Sequence, residues 1–184
     1  PSTRAPHMLV GARPGPSPGV GTSINNSCTR AGVRRPSDSA GYDLRGCQDR
    51  DGAMTQFTPS ALSDMTVEDI NDAGTIVGYQ DLKAYYFDGS FHKLGTFGGQ
   101  FSDASGINAY GEIVGRASDS SERLLPYIYN NGTMVNLAAL LQPLLPSNIH
   151  LQIAWDINDL GDIVLSDNFE SLYVARAINP HEIP

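Results

Sequence analysis

The stretch that decides the fold is "DINDAGTIVGY", residues 69–79, because closely similar stretches return twice further along the chain. They are "GINAYGEIVGR" at residues 106–116 and "DINDLGDIVLS" at residues 156–166. We refer to each of the three stretches as a box. Self-similarity at intervals of roughly 20–50 residues is typical of solenoids and propellers, in which each repeat is one supersecondary unit. The boxes therefore identify the chain as a repeat protein.

The spacing inside each box predicts a turn between two β-strands. Every box reads Ile, Asn, two variable residues, Gly, one variable residue, then Ile and Val. Asparagine suits the first position of a type I turn, and a glycine three residues later accepts the left-handed conformation of a β-bulge. The β-branched pair then starts the returning strand. The predicted turn residues are Asn71 and Gly74 in the first box, Asn108 and Gly111 in the second, and Asn158 and Gly161 in the third.

A second hairpin is predicted after each of the first two boxes. "YYFDGSFHKL" turns at Asp88 and Gly89, and "YIYNNGTMVNL" turns near Asn131 and Gly132, since Asp-Gly and Asn-Gly are the strongest short hairpin signals. Each unit then holds four short strands in meander order over about 40 residues, like one propeller blade. Bulky residues at consecutive positions after the box glycine put apolar groups on both faces of the strand, which favours sheets that stack on one another.

The predicted fold is all-β, with tandem four-stranded antiparallel meanders stacked as a partial β-propeller. Three units are expected within residues 54–184, at about 57–99, 100–140 and 150–180. A Leu-rich stretch before Pro143 predicts a short helix, and the third unit ends before its final hairpin. Closed propellers use about four to eight blades. We therefore expect that further blades were cut away, that copies associate, or that a short stack stands alone.

Residues 1–53 are predicted to form a disordered segment rich in Pro, Gly and Arg. The first fifty residues hold six of the twelve prolines and both cysteines, and their seven arginines and three aspartates give a net charge of +4. With few apolar runs, such a segment cannot offset its ordering entropy. Ile24 and Asn25 do resemble the start of a box, but the glycine and the Ile-Val pair do not follow. We interpret them as a degenerate or accidental echo.

The rest of the chain is acidic. Its five Lys or Arg and seventeen Asp or Glu give a net charge of −12, which would repel a phosphate backbone, so nucleic acid is not expected as a partner. Cys28 and Cys47 fit neither a CxxC motif nor a disulfide framework. No stretch approaches the roughly eighteen apolar residues of a membrane helix, and no signal peptide is visible. Because the chain begins at Pro1, we expect a truncated start or a natural start at Met54, and the missing leader does not argue against export.

With "INDAGTIVGY", "AYYFDG" and "KLGTFGG" in this order, the chain resembles the HAF repeat family of bacterial extracellular repeat proteins over about residues 57–179. The likeness is close at residues 93–99. It is looser at residues 84–87, where the family's histidine and tryptophan are absent, and Leu165 replaces the glycine that closes the third box. The resemblance implies an exported bacterial protein of repeated β-units, located outside the cell or at its surface. It supplies no catalytic residues, because the family motif is a folding motif.

Several polar groups are candidates for metal or catalytic sites. The box acids Asp69, Asp72, Asp156 and Asp159 partly imitate a calcium loop, but the oxygen ligands needed at other loop positions are missing, so plain turn chemistry is favoured. The histidines His7, His92, His150 and His181 do not fall at metal-ligand spacing, and no Ser, His and Asp set has a local signature. No catalytic residue, metal or cofactor is therefore predicted.

Other motifs also favour structural readings. The letters of Asn131, Gly132 and Thr133 form a glycosylation sequon, but a hairpin turn explains them. Gly98 and Gly99 are expected to end a strand, and no phosphate-loop lysine follows. Seven aromatic residues could line a carbohydrate surface or pack between units, which is the commoner use: Tyr79, Tyr85, Tyr86, Phe87, Tyr127, Tyr129 and Trp155.

The favoured function is a non-catalytic extracellular β-repeat module that acts as an interaction scaffold for an unidentified carbohydrate or protein at the cell surface. The alternative is a carbohydrate-active hydrolase or lyase on a β-propeller, using paired carboxylates about 5–9 Å apart. A deep pocket with two such carboxylates would indicate the enzyme, whereas a flat or repetitive surface would indicate the scaffold. A fragment without independent function is the third option.

Overall fold

The computed structural model describes residues 19–25, 30–34, 45–50, 53–56, 65–168 and 171–176. These residues are mostly β-structure, with fifteen strands in four antiparallel sheets and one short α-helix. The predicted all-β class is thereby confirmed. In chain order the strands are β1 (Gly19–Ile24), β2 (Arg30–Arg34), β3 (Arg45–Arg50), β4 (Ala53–Gln56), β5 (Asp69–Ile70), β6 (Ile76–Gln80), β7 (Lys83–Phe87), β8 (Phe91–Lys93), β9 (Gly98–Ile107), β10 (Ile113–Asp119), β11 (Leu124–Asn130), β12 (Thr133–Asn136), β13 (Leu151–Ile157), β14 (Ile163–Asp167) and β15 (Leu172–Ala175).

Each sheet is an antiparallel meander whose strand order follows the chain. We number the sheets 1 to 4: they contain β1–β4, β5–β8, β9–β12 and β13–β15. Every box turn joins the first and second strands of its sheet, as the alternation of turn and strand residues predicts. Sheet 4 has three strands, as expected from the early end of the third unit.

Apolar side chains pack between consecutive sheets, and each interface has its own cluster. The cluster between sheets 1 and 2 contains Ala31, Val67, Ile70 and Ile76, with Phe87 against it. The cluster between sheets 2 and 3 contains Val77, Ala84, Leu94, Ala104, Ile107, Ile113, Ala117 and Tyr127. The cluster between sheets 3 and 4 contains Val114, Ile128, Leu137, Leu151, Ala154, Ile157, Ile163 and Leu165. Burial of this apolar surface is the main force that holds neighbouring sheets together.

The Ile-Val pair of a box serves two interfaces at once. Ile76 lies in the cluster with sheet 1, whereas Val77 lies in the cluster with sheet 3, and both are 0% exposed. Successive side chains of a strand point to opposite faces, so two adjacent apolar residues can pack only where both faces are covered. Ile113 and Val114 repeat the arrangement one sheet later. This is why the box needs two consecutive β-branched residues.

The Leu-rich stretch after sheet 3 forms the predicted helix. Helix α1 (Leu137–Leu141) starts after Asn136, whose side-chain oxygen accepts the Ala139 N–H at 3.1 Å as an N-cap. A 3₁₀ turn (Gln142–Leu144) that contains Pro143 follows directly. Because proline cannot donate to the preceding turn, it ends the helix after little more than one turn. Leu137 is 3% exposed and anchors the helix in the cluster between sheets 3 and 4.

Gly98 and Gly99 begin strand β9, so the expectation that they end a strand was wrong. A Cβ on Gly99 would lie 2.1 Å from Ser118 Oγ and 2.4 Å from the Asp119 carbonyl oxygen. Only glycine allows β9 to start this close to β10. Thr96 fixes the approach, since its hydroxyl donates to the Gly99 carbonyl at 2.9 Å and accepts the Gly98 N–H at 3.2 Å.

Part of the segment for which disorder was predicted is described. Strands β1, β2 and β3 lie within residues 1–53, and the rest of that segment lies outside the described residues. The predicted division at residue 53 falls inside sheet 1, because β3 pairs with β4 from Cys47↔Gln56 to Arg50↔Ala53.

Candidate functional site

The box turns have one shared geometry. In the first box, Gly74 N–H donates to the Asn71 carbonyl at 3.0 Å, and Thr75 N–H donates to Asn71 Oδ1 at 3.0 Å. Gly74 has φ +88°, a left-handed conformation that favours glycine. The other boxes repeat the turn, with Gly111 to Asn108 at 3.1 Å, Gly161 to Asn158 at 3.0 Å, and glycine φ of +81° and +79°. The structure thus places all six box residues in equivalent turns.

The same asparagines connect one turn to the next. Asn71 Nδ2 donates to the Asn108 carbonyl at 3.1 Å, and Asn108 Nδ2 donates to the Asn158 carbonyl at 3.3 Å. Asn71 and Asn108 are 6% and 3% exposed. Such buried amides must find partners, and here each donates to the backbone of the following box, while Asn108 Nδ2 also donates to Glu112 Oε2 at 2.5 Å. The asparagine side chains therefore form a ladder of hydrogen bonds, which fixes the position of each sheet relative to the next.

The ladder begins one sheet earlier than the sequence indicated. Asn25 Nδ2 donates to the Asn71 carbonyl at 2.9 Å, and Asn25 is 8% exposed. Ile24 pairs with Arg30 in the way that Ile70 pairs with Ile76. Of the two readings of Ile24 and Asn25, these contacts favour the degenerate one over the accidental one. The two residues open a fourth box, whose remaining sequence diverges.

The second hairpins turn at the predicted dipeptides. Gly89 has φ +115°, and Asp88 Oδ1 accepts the Ser90 N–H at 3.2 Å. Hydrogen bonds from Ser90 and His92 lower the pKa of this exposed Asp88 carboxyl. Asn131 and Gly132 have φ of +49° and +83°, the pair of left-handed residues that a type I′ turn requires. Both dipeptides lie between the third and fourth strands of their sheets.

Box acids accept hydrogen bonds from protein donors. Asp69 Oδ1 accepts from Ser23 Oγ at 2.7 Å and from Ile70 N–H at 2.8 Å, while Oδ2 accepts from Ile107 N–H of the next sheet at 3.1 Å. Asp159 Oδ1 likewise accepts the Ala109 N–H at 2.8 Å. Among the described residues, no three His, Cys, Asp or Glu side chains form a group that could hold a metal ion.

Two other acids interact across neighbouring sheets. Glu68 precedes β5 and Asp103 lies on β9. Burial raises the pKa of the Glu68 carboxyl, and the charge of Asp103 raises it further. Burial also raises the pKa of Asp103, although Arg116 opposes this through an ion pair with Nε–Oδ2 at 2.8 Å. Sequence reasoning could not find this pair, because the charge of Asp103 acts on Glu68 only once sheets 2 and 3 are packed.

The aromatic residues divide between packing and surface. Tyr85 and Tyr127 are 1% and 0% exposed, so they cannot line a binding surface. Tyr86 stacks on His92 with ring centroids 4.4 Å apart. Trp155 is 50% exposed on sheet 4.

A groove of about 550 Å³ lies between α1, sheet 3 and the start of sheet 4. Its lining combines apolar stems with polar ends, among them Glu122, Arg123, Asn136, Gln142 and His150. Glu122 Oε2 accepts the Gln100 N–H at 3.2 Å, and Arg123 pairs with Asp119 at 2.7 Å. Among the described residues that line the groove, Glu122 alone has a carboxylate. The groove therefore does not hold the pair of carboxylates that glycoside hydrolysis needs.

Comparison with known proteins adds no family. No protein-family model matches the chain, and no curated protein matches it either. In the described part, no helix is long and apolar enough to cross a membrane.

Proposed function

We propose that the chain is a non-catalytic β-repeat module, part of a propeller-like stack, that acts as an extracellular interaction scaffold. The observation that carries the proposal is the asparagine ladder, because it shows what the repeated residues are used for. Asn25, Asn71 and Asn108 all donate to the next box. A motif that repeats for folding and stacking builds surface area, and function then lies in the surface that the stack presents.

The propeller-like arrangement has further support. Each of the first three sheets is a four-stranded meander, and consecutive sheets pack face to face through apolar clusters. β-Propellers are built from four-stranded meander blades, so this arrangement supports a propeller-like stack. An extracellular location in a bacterium rests on the resemblance of the boxes and of residues 93–99 to HAF repeats.

The groove beside α1 is the surface best suited to a ligand in this proposal. It offers Arg123, with a side chain 76% exposed, next to the amides and the imidazole of its lining. Such a mixed lining fits a carbohydrate or an extended segment of a cell-surface protein. No cofactor enters the proposal.

The alternative function, a carbohydrate-active hydrolase or lyase, is favoured by the interaction of Glu68 with Asp103. A carboxyl with a raised pKa could act as a general acid while a second carboxylate acts as a base or nucleophile. Two features weigh against this use. Asp103 is 8% exposed and is engaged by Arg116, whose Nε donates to Oδ2 at 2.8 Å.

One experiment separates the two functions. The full chain would be incubated with a panel of bacterial and plant polysaccharides, and both retention on the polymer and release of reducing ends would be measured. A scaffold retains a polymer or a surface protein without releasing ends, and substitution of Arg123→Ala weakens retention while Leu160→Ala, on an exposed turn, does not. Release of ends by the wild type that is abolished in Glu68→Gln would establish the enzyme instead.

A further inference from the structure

The outer face of sheet 4 is apolar and exposed. Val164 pairs with Val174, and Ser166 pairs with Leu172, across β14 and β15. The Trp155 Nε1–H donates to Ser166 Oγ at 2.9 Å and holds the indole on the same face. Leu172 is 71%, Val174 59% and Trp155 50% exposed. Ser166 itself is 5% exposed, so the exposed part of this face consists of Leu172, Val174 and Trp155, with Val164 half-buried beside Val174.

The same face of the preceding sheets is buried. Val164 occupies the register position of Val77 in sheet 2 and of Val114 in sheet 3, directly after the isoleucine that pairs with the box isoleucine. Val77 and Val114 are 0% exposed. They share clusters with Ile107 and Ile157, the box isoleucines of the next sheets. The outer face of a sheet is thus built to receive the box isoleucine of its successor.

The first sheet carries the matching group. Ile24 is 60% exposed, whereas the later box isoleucines Ile70, Ile107 and Ile157 are 4%, 5% and 5% exposed. Within the described residues, one end of the stack therefore presents an uncovered box isoleucine and the other end presents an uncovered receiving face.

Polar groups at sheet 4 repeat those of the internal contacts. Asp156 Oδ1 accepts the Ile157 N–H at 2.8 Å, as Asp69 Oδ1 accepts the Ile70 N–H at 2.8 Å. The second oxygen of Asp69 accepts an N–H from the next sheet, and the exposed Asp156 presents its own second oxygen in the same way. Asn158 is exposed as well, and its Nδ2 makes a long contact of 3.4 Å with Asp162.

The charges of the two ends are opposite. The strands of sheet 1 contain four arginines and one aspartate, a net charge of +3: Arg30, Arg34, Arg45, Arg50 and Asp49. The box of sheet 4 instead contains Asp156, Asp159 and Asp162 and no Lys or Arg. Opposite charge steers two partners together, and like charge disfavours a contact between two copies of sheet 4.

We propose that the outer face of sheet 4 docks sheet 1 of a second copy of this chain, head to tail. Ile24 of one copy packs against Val164 and Val174 of the other, and Asp156 accepts the Ile24 N–H. The contact is heterologous, so it leaves one end free on each copy until a ring closes. Two copies would close a ring of eight sheets, twice the four of one chain, within the range of about four to eight blades. The ring rests on the propeller-like arrangement proposed above, whereas the head-to-tail contact itself does not depend on the scaffold function.

The test uses two variants of the full chain, each of which blocks one end. Ile24→Asp places a charge on the first sheet, and Val174→Asp places one on the receiving face. Leu160→Asp is the matched control, because Leu160 is 63% exposed but lies in the box turn, outside the outer face. Light scattering with size exclusion at low and high micromolar protein gives the mass, and circular dichroism checks that each variant retains the β-fold of the wild type.

We expect the wild type and Leu160→Asp to associate, with at least about a twofold rise in mass. Each blocked variant alone should be a monomer. An equal mixture of the two blocked variants should form a heterodimer, because one intact end remains on each. Self-association of Ile24→Asp alone would indicate a tail-to-tail contact and overturn the proposal. A wild type that stays monomeric at the highest concentration would overturn it too.

Discussion

The side chain of Asn71 donates a hydrogen bond to the backbone carbonyl of Asn108 over 3.1 Å, and so joins two turns that are 37 residues apart. The acceptor is the carbonyl that also receives the N–H of Gly111 inside its own turn. One carbonyl therefore closes a turn and holds the preceding sheet. Turn formation and sheet stacking are coupled in this way, so a change in a box asparagine acts on two units.

This coupling predicts the effect of truncating the asparagine. Asn71→Ala removes the turn bond from Thr75 and the bond to sheet 3, and the free energy of unfolding should fall by about 2 kcal/mol or more, since each bond contributes about 1 kcal/mol. Asn158→Ala is the control. It removes two turn bonds, from Leu160 and Asp162, but Asn158 is exposed, so water replaces much of their contribution, and it donates to no following box in the described part. Its cost should be near 1 kcal/mol. Equal losses in urea unfolding would show that the ladder bond does not stabilise the stack.

The residue directly after the Ile-Val pair is predicted to be packed in opposite ways in sheets 3 and 4. A Cβ on Gly115 would lie 2.1 Å from the Asp103 carbonyl oxygen, so Gly115→Ala forces a backbone shift that costs about 1–3 kcal/mol. Leu165 occupies the equivalent position in sheet 4 and is 1% exposed, so Leu165→Ala leaves a cavity and costs about 2–5 kcal/mol. Thermal unfolding of both variants would check this, and a stabilised Gly115→Ala protein would contradict the close approach.

The tyrosine opposite each of these residues explains the difference between the boxes. Gly115 pairs with Tyr127, whose hydroxyl donates to the Asp103 carbonyl at 2.8 Å. Leu165 pairs with Tyr173, whose hydroxyl instead donates to Asp167 Oδ2 at 3.0 Å. In sheet 3 the glycine leaves room for a carbonyl that the tyrosine satisfies. In sheet 4 the leucine fills that room, and the tyrosine turns to another acceptor.

The sequence predicted the turns and the strands around them because these depend on local chemistry. Asparagine and a left-handed glycine three residues later recur in the boxes of sheets 2, 3 and 4. The box of sheet 1 escaped this reasoning, since at the positions of Gly74, Ile76 and Val77 it has Cys28, Arg30 and Ala31. What it retains is the asparagine of the ladder. Asn25 makes a hydrogen bond between two sheets. The residue spacing within one box cannot predict a contact between sheets.

The candidate carboxylate pair was invisible for a related reason. Glu68 and Asp103 belong to different units, and their interaction depends on the register between sheets 2 and 3. The local sequence around Glu68 or Asp103 does not predict how sheets 2 and 3 are aligned. By contrast, the apolar character of both faces of β6 was predictable, because consecutive isoleucine and valine can be buried only between two layers.

Asp103 predicts a specific dependence of stability on pH. Burial raises the pKa of this carboxyl above its ordinary 3.8, so the folded state holds the proton more tightly than the unfolded state. Its contribution to stability is therefore most favourable below pH 3.8 and declines as pH rises through the raised pKa. Asp103→Asn lacks this decline. Its free energy of unfolding relative to the wild type should increase with pH across that window in urea titrations.

Asp119 provides the control of opposite sign. Hydrogen bonds from Arg123 and Ser121 lower the pKa of its carboxyl. The wild type therefore gains stability from this group as pH rises through the lowered pKa, and Asp119→Asn loses that gain. The two variants should diverge from the wild type in opposite directions as pH is raised. Parallel behaviour would mean that net charge, and not the two local environments, governs the pH dependence.

The buried tyrosine hydroxyl of sheet 3 gives the last prediction. Tyr127 is 0% exposed, and its hydroxyl donates to the Asp103 carbonyl. Tyr127→Phe preserves the ring packing but leaves that carbonyl without the bond, so the free energy of unfolding should fall by about 1–2 kcal/mol. Tyr110→Phe, at a side chain 62% exposed, should change it by less than about 0.5 kcal/mol. Urea unfolding followed by fluorescence measures both. If Tyr127→Phe were neutral, the bond between Tyr127 and Asp103 would not support the packing of sheet 3, and the demand for glycine at position 115 would rest on backbone clearance alone.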